Sequence, residues 1–197
     1  MWLIGDVHGD WGGYLDIIEE FDESVQLGDL GIGFPEYEKH WQENHMFIRG
    51  NHDSPELCRS HNNYLGEFGE YQGLFFISGA FSIDYEWRKK YNQMSDQKVW
   101  WEDEELSNKD MESALEMYCD TKPNIVISHD APAIARQKIV GKSNKQYRNR
   151  TSDSLMMEML KCHYPELWVF GHYHCSARFT IKRTRFVCLN ILEEFEV

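Results

Sequence analysis

Eight side chains able to bind a metal or handle a proton stand in five short clusters: Asp6 and His8 in GDVHG, Asp29 in GDLG, Asn51 and His52 in GNHD, His129 in SHDAP, and His172 with His174 in GHYH. They offer nitrogen and oxygen with no thiolate, a donor set suited to borderline divalent ions such as manganese, iron, zinc, cobalt or nickel. A single catalytic zinc usually takes about three protein ligands. The surplus of donors points to two ions roughly 3.5–4 Å apart sharing a carboxylate, as in two-metal hydrolases. The natural substrate class is a phosphate ester, whose phosphoryl oxygens two cations can hold while a bridging hydroxide attacks in line.

Something must bring these clusters together. Each follows a short apolar run that reads as a strand: residues 2–5, 24–28, 46–50, 124–128 and 167–170. In sheets covered by helices, ligands gather beyond the carboxyl ends of strands, so the five endings can converge. Strict alternation along an extended chain would put Asp6 with His8, and His172 with His174, on shared faces as two clamps, with Cys175 turned away. Helical spacing appears over residues 14–21 and 152–162, and Ser107 with Asp110 resembles a capping box opening a helix to about residue 119. Residues 74–83 read as a hairpin or two consecutive strands, and residues 177–191 as two strands around a basic turn. Strands alternating with helices favour an α/β layered architecture.

Five motifs in this order, each after a strand, resemble the calcineurin-like metallophosphoesterase family over the whole chain. The resemblance implies one domain over residues 1–197, a four-layer α/β/β/α sandwich of two mixed sheets flanked by helices. It implies that Asp6, His8 and His174 bind a first metal, that Asn51, His129 and His172 bind a second, and that Asp29 bridges both. His52 matches the family's catalytic histidine, a proposed general acid, with Asp53 as the partner that orients or charges it. Protein Ser/Thr phosphatases of this superfamily carry GD-x-VDRG and GNHE. This chain has GDLGIGF and GNHD and so lacks their phosphate-clamping arginine at that place. The middle segment is similar to uncharacterised phage and bacterial members. Arg88 is the preferred replacement clamp, and Arg49 reads as a structural ion pair under the site.

The chain has 197 residues and a formal net charge of -13. That acidity argues against a general nucleic-acid surface without forbidding a nucleotide or a local site near bound cations. The tract of residues 131–152 runs against it, with Arg136, Lys138, Lys142, Lys145, Arg148 and Arg150 and no acid. It reads either as a solvated loop or as a phosphate contact, with Arg136 the substrate-binding candidate. Five cysteines without a CxxC pair disfavour structural zinc and a disulfide framework. With no signal peptide and no span of about 20 apolar residues, a cytoplasmic protein without a membrane partner is expected. His40, His45, His61 and His163 read as ordinary surface or core histidines, and the acids at 19–23 and 102–105 as solvated surface. The expected activity is hydrolysis of nucleotide or small-molecule phosphate mono- or diesters with two divalent ions, manganese first. A phosphoprotein phosphatase, a nuclease using the basic tract, and a non-catalytic metal-binding scaffold are the alternatives. The scaffold is disfavoured because His52 and every ligand are present. Oligomeric state is left open.

Overall fold

The computed structural model describes residues 1–34, 42–141 and 149–197. The first half contains β1 (Trp2–Ile4), α1 (Trp11–Ile18), β2 (Ser24–Gln26), β3 (His45–Phe47), α2 (Pro55–Arg59), β4 (Phe68–Tyr71), β5 (Leu74–Ile77) and α3 (Tyr85–Met94). The second contains α4 (Asn108–Thr121), β6 (Ile125–Ser128), α5 (Ala133–Val140), a π-helical turn (Thr151–Leu155), α6 (Met156–Cys162), β7 (Leu167–Phe170), β8 (Ala177–Ile181), β9 (Thr184–Cys188) and β10 (Glu194–Glu196).

The strands form two mixed sheets. One has the order β10-β1-β2-β3, parallel except for β10. The other has the order β4-β5-β6-β7-β9-β8, with a parallel centre and antiparallel β4 and β8 at its edges. The central parallel strands β5, β6 and β7 are largely buried and read as near-continuous apolar runs. Alternation then sorts their side chains between layers. Leu74 and Phe76 of β5 meet Leu3, Val25, Ile127 and Val169 between the sheets. Phe75 and Ile77 point the other way, onto Ala114 and Tyr118 of α4 and Met156 and Met159 of α6. Ile4 and Phe47, on the outer face of the first sheet, pack on Trp11, Tyr14 and Ile18 of α1 and Cys58 of α2. The result is the expected four-layer arrangement, each buried Leu or Phe contributing about 1.5–3 kcal/mol.

Several boundaries differ from the sequence reading for identifiable reasons. Residues 74–83 hold one strand, β5. Its hairpin partner is β4 upstream, joined through Gln72 (φ 47°) and Gly73 (φ 82°), the paired positive φ values of a tight two-residue turn. Helix α1 starts earlier than expected because the Asp10 carboxylate accepts from Gly13 N at 3.1 Å and caps it. The capping box of α4 is present, with Ser107 Oγ accepting from Asp110 N at 3.1 Å and donating to Asp110 Oδ2 at 2.6 Å. The expected helix over 152–162 opens with the π turn, whose first residue is fixed by Glu105. Helix α3 has no apolar stripe by which the sequence could reveal it; its one buried residue is Arg88. Lys142, Lys145, Arg148 and His40 lie outside the described residues. Among the described residues no helix is long and apolar enough to cross a membrane.

Candidate metal centre

The five clusters follow the carboxyl ends of β1, β2, β3, β6 and β7, all parallel to a neighbour, and meet on one side of the molecule. They do not get there by strand alternation. His8 (φ 51°), Asp29 (φ 58°), His172 (φ 71°) and His174 (φ 49°) are left-handed, a conformation costing about 1–3 kcal/mol each that surrounding structure must enforce. Asp6 and His8 do converge. His172 and His174 do not form a clamp, because the turn between them sends their rings to different groups.

Asp6, His8, Asp29 and His174 form one group, with ligand atoms within 4.8 Å of one another, and Asp29, His129 and His172 form another. In the first, His174 Nε2 is 3.2 Å and His8 Nε2 3.5 Å from Asp6 Oδ2, and the two imidazole nitrogens face each other at 2.7 Å. In the second, His129 Nε2 lies 3.4 Å from Asp29 Oδ2, 3.2 Å from His172 Nδ1 and 3.3 Å from Asn51 Oδ1. Asp29 belongs to both groups.

The backbone holds these donors. His129 Nδ1 donates to Leu27 O at 2.7 Å, which fixes the ring orientation and turns Nε2 to Asp29. The N–H of His172 donates to Asp6 Oδ1 at 2.9 Å, and that of His52 to Asp29 Oδ1 at 2.7 Å. The glycines preceding the ligands leave the necessary room. A Cβ on Gly171 would sit 2.1 Å from Asp6 Oδ1, and one on Gly50 2.1 Å from Asp29 Oδ1.

Asp53 corrects an expectation. It is fully buried, and its carboxylate accepts from Asp29 N and Gly50 N through Oδ2 and from Gly31 N and Ile32 N through Oδ1, each at 2.8–3.0 Å. Those four donors use its acceptor directions. It ties the GDLG and GNHD loops together instead of orienting His52.

The donor set fits cations. Asp6 and Asp29 are essentially unexposed, and among the described residues their ion-pair partners are imidazoles. Burial pushes Asp6 up, but hydrogen bonds from His174 and His8 overcome it and leave the carboxyl at about 2. Burial likewise opposes ionisation of Asp29, which His129 and His52 nevertheless hold well below the carboxylate range. Burial would also neutralise His129, yet Asp29 and Asp6 raise it to about 10. Two buried carboxylates thus demand positive charge between them, and borderline divalent ions supply it to this nitrogen and oxygen set.

Beside the groups lies a cavity of about 850 Å³, lined by Asp29, His52, Phe81, Arg88, Arg136 and His172 among others. Arg88 reaches in from α3. Its Nε donates to Asp84 Oδ1 at 2.7 Å, its Nη1 to Val99 O at 3.2 Å, and its Nη2 to His52 Nε2 at 2.7 Å. A guanidinium can only donate, so His52 Nε2 accepts. Burial first, and Arg88 with it, draw the His52 imidazole down to about 4 against the pull of Asp29. This environment keeps His52 neutral near pH 7, at odds with the expected protonated general acid.

Arg136 lines the same cavity and pairs with Asp153 at 2.5 Å. Arg150 is structural, donating to Asn108 Oδ1 at 2.7 Å and Leu106 O at 3.2 Å. Arg49 is the expected buried ion pair, with Nη2 2.6 Å from Glu67 Oε2. Two acids read as surface are buried: Glu105 accepts from Thr151 N at 2.9 Å, and Glu104 accepts from Ser82 N at 2.8 Å. Sequence reasoning gave Ser82 and Glu104 no role at the site. Their one signal is the placement of the acidic run EDEE between Trp101 and Leu106, both of which are core residues.

A two-sheet sandwich whose parallel strands deliver Asp, Asn and His to one pocket defines the class of α/β hydrolases built around metal ions held by such residues. The calcineurin-like phosphoesterase model matches residues 1–176, and the chain belongs to that family, whose members are metal-dependent hydrolases of phosphate esters. No curated protein matches the sequence. Among solved structures, TT1561 of Thermus thermophilus aligns with a TM-score of 0.51 and 13% identity, covering 97% of this chain and 89% of that one. Phosphopantetheinyl hydrolase (PptH) from Mycobacterium tuberculosis aligns with a TM-score of 0.47 and 14% identity, covering 96% and 89%. The first of these likenesses is one of fold.

Proposed function

We propose that the chain hydrolyses phosphate mono- or diesters of nucleotide or small-molecule type using two divalent ions, manganese first. The observation that carries this reading is the sharing of Asp29 by two ligand groups that open into the cavity reached by Arg88. Asp6, His8 and His174 would hold one ion and Asn51, His129 and His172 the other, with Asp29 common to both. Bound there, the ions supply Lewis acidity toward phosphoryl oxygens and lower the pKa of water toward about 7.

The chain's own residues do the rest. Arg88 carries a permanent charge, and its fork is fixed on three sides before substrate arrives, so it meets phosphoryl oxygens without reorganisation. His52 holds that fork by accepting at Nε2. Arg136, which also lines the cavity, would meet the organic part of the ester or a second phosphate. The cavity exceeds what phosphate alone needs, and Ile83 and Val140 give it an apolar rim, which supports an ester with an organic group.

The test is hydrolysis of para-nitrophenyl phosphate and its bis ester. Turnover should require added manganese, vanish on chelation, and fall by about 10²–10³-fold in His52→Ala. A protein inert on both esters with manganese, iron, zinc, nickel and cobalt would overturn the reading. Preference between the esters assigns monoesterase or diesterase.

A further inference from the structure

Among the proposed ligands Asn51 has a problem that the carboxylates do not: only one end of its amide can bind a cation. Its Nδ2 lies 3.0 Å from Ser82 Oγ, and its Oδ1 faces His129. Ser82 is in turn gripped by Glu104, donating from N to Oε1 at 2.8 Å and from Oγ to Oε2 at 2.7 Å. All three residues are at most 3% exposed, so bulk water does not compete. Glu104 is itself anchored, because Arg49 Nη1 donates to its backbone oxygen. Arg49 lies two residues before Asn51, so the loop carrying the amide also grips the segment that controls it.

The donor count decides the orientation. A carboxylate only accepts, and a serine hydroxyl has one proton. With that proton committed to Glu104, Ser82 Oγ presents lone pairs to Asn51. Only the NH₂ end of the amide satisfies them, which leaves Oδ1 toward His129. The reverse amide would set two acceptors against each other in a buried site, at about 1–3 kcal/mol.

We propose that Glu104, acting through Ser82, is a positioning residue that turns the oxygen of Asn51 toward the second ligand group. This rests on the two-ion reading above. Glu104→Gln tests it with little change of shape. The glutamine oxygen can still accept from Ser82 N, but its NH₂ donates to Ser82 Oγ. The hydroxyl proton is then released toward Asn51, and the wrong end of the amide becomes acceptable.

The experiment is calorimetric titration of the full chain with manganese at a fixed pH of about 8, since metal affinity varies with pH. The wild type should take up two ions. Glu104→Gln should bind one of them about 10–100-fold more weakly and leave the other unchanged. Ser82→Ala removes the arbiter without creating the opposite preference, so its loss should be smaller but measurable. In an Asn51→Asp background, where neither end is wrong, adding Glu104→Gln should cost nothing. Wild-type affinity in both Glu104→Gln and Ser82→Ala, or an equal loss in the Asn51→Asp background, overturns the proposal. Should Glu104→Gln fail to fold, Ser82→Ala decides alone. A wild type that binds no manganese is a different failure, which overturns the two-ion reading and this proposal with it.

Discussion

The guanidinium of Arg88 meets both ring nitrogens of His52, with Nη2 2.7 Å from Nε2 and Nη1 3.3 Å from Nδ1. His52 is therefore wired to an arginine from a helix that buries no apolar side chain. Arg88→Ala should lower kcat on para-nitrophenyl phosphate by about 10²–10³-fold while leaving manganese uptake intact. Arg88→Lys should recover little of it, because an ammonium cannot reach Asp84, Val99 O and His52 together. Steady-state kinetics paired with metal titration check both. An arginine that only supports the fold would lower the melting temperature without this selective loss of kcat.

Asp53 gathers four backbone N–H groups from two metal-binding loops. Asp53→Asn replaces one accepting oxygen by an NH₂ that points at those donors. Hydrogen bonds to a charged group contribute about 1.5–3 kcal/mol each, so the variant should lose about 3 kcal/mol or more in urea unfolding. Since Asp53 acts on the loops, manganese affinity should fall with stability.

How much of this was legible in the chain depends on what each residue touches. The ligands announced themselves because a ligand type and a strand ending coincide in every cluster, with a glycine beside four of the five, and Gly50 and Gly171 show why: any side chain there would overlap a carboxylate. The layered α/β class was legible from the alternation of strands and helices, whereas the two-sheet sandwich came from the family resemblance. What escaped was decided by backbone direction. Adjacency suggested that Asp53 serves His52, but the turn aims its carboxylate at the loops. Glu104 and Glu105 looked like a solvated acidic run, and only the fold brings Ser82 and Thr151 to them. The split between His172 and His174 follows from left-handed φ values that a strand pattern cannot reveal.

The glycine argument makes its own prediction. Gly171 has an ordinary φ, so alanine there suffers no backbone strain, but its Cβ would displace Asp6 Oδ1. Gly171→Ala should weaken manganese binding by at least about tenfold. The sheet strands would keep their core, so far-ultraviolet circular dichroism should be unchanged. Gly73→Ala is the control: nothing lies within 4 Å of its Cβ, so any cost there comes from its positive φ and touches stability alone.

Glu104 links the centre to pH. Burial raises its carboxyl from an ordinary 4.5 to about 7, against the hydrogen bonds from Ser82. Between these values the folded chain keeps a proton that the unfolded chain has released. Its contribution to stability is therefore full below 4.5 and is lost as pH rises through about 7. Measured against Glu104→Gln, which cannot titrate and leaves every other group in place, metal-free wild type should lose relative stability in urea from about pH 5 to about pH 8. The same ionisation commits the Ser82 hydroxyl to Glu104. The charge that costs folding stability is the one that fixes the Asn51 amide, so manganese affinity of the wild type should rise across this interval more steeply than that of Glu104→Gln. Parallel pH profiles for the two proteins would separate Glu104 from the metal centre.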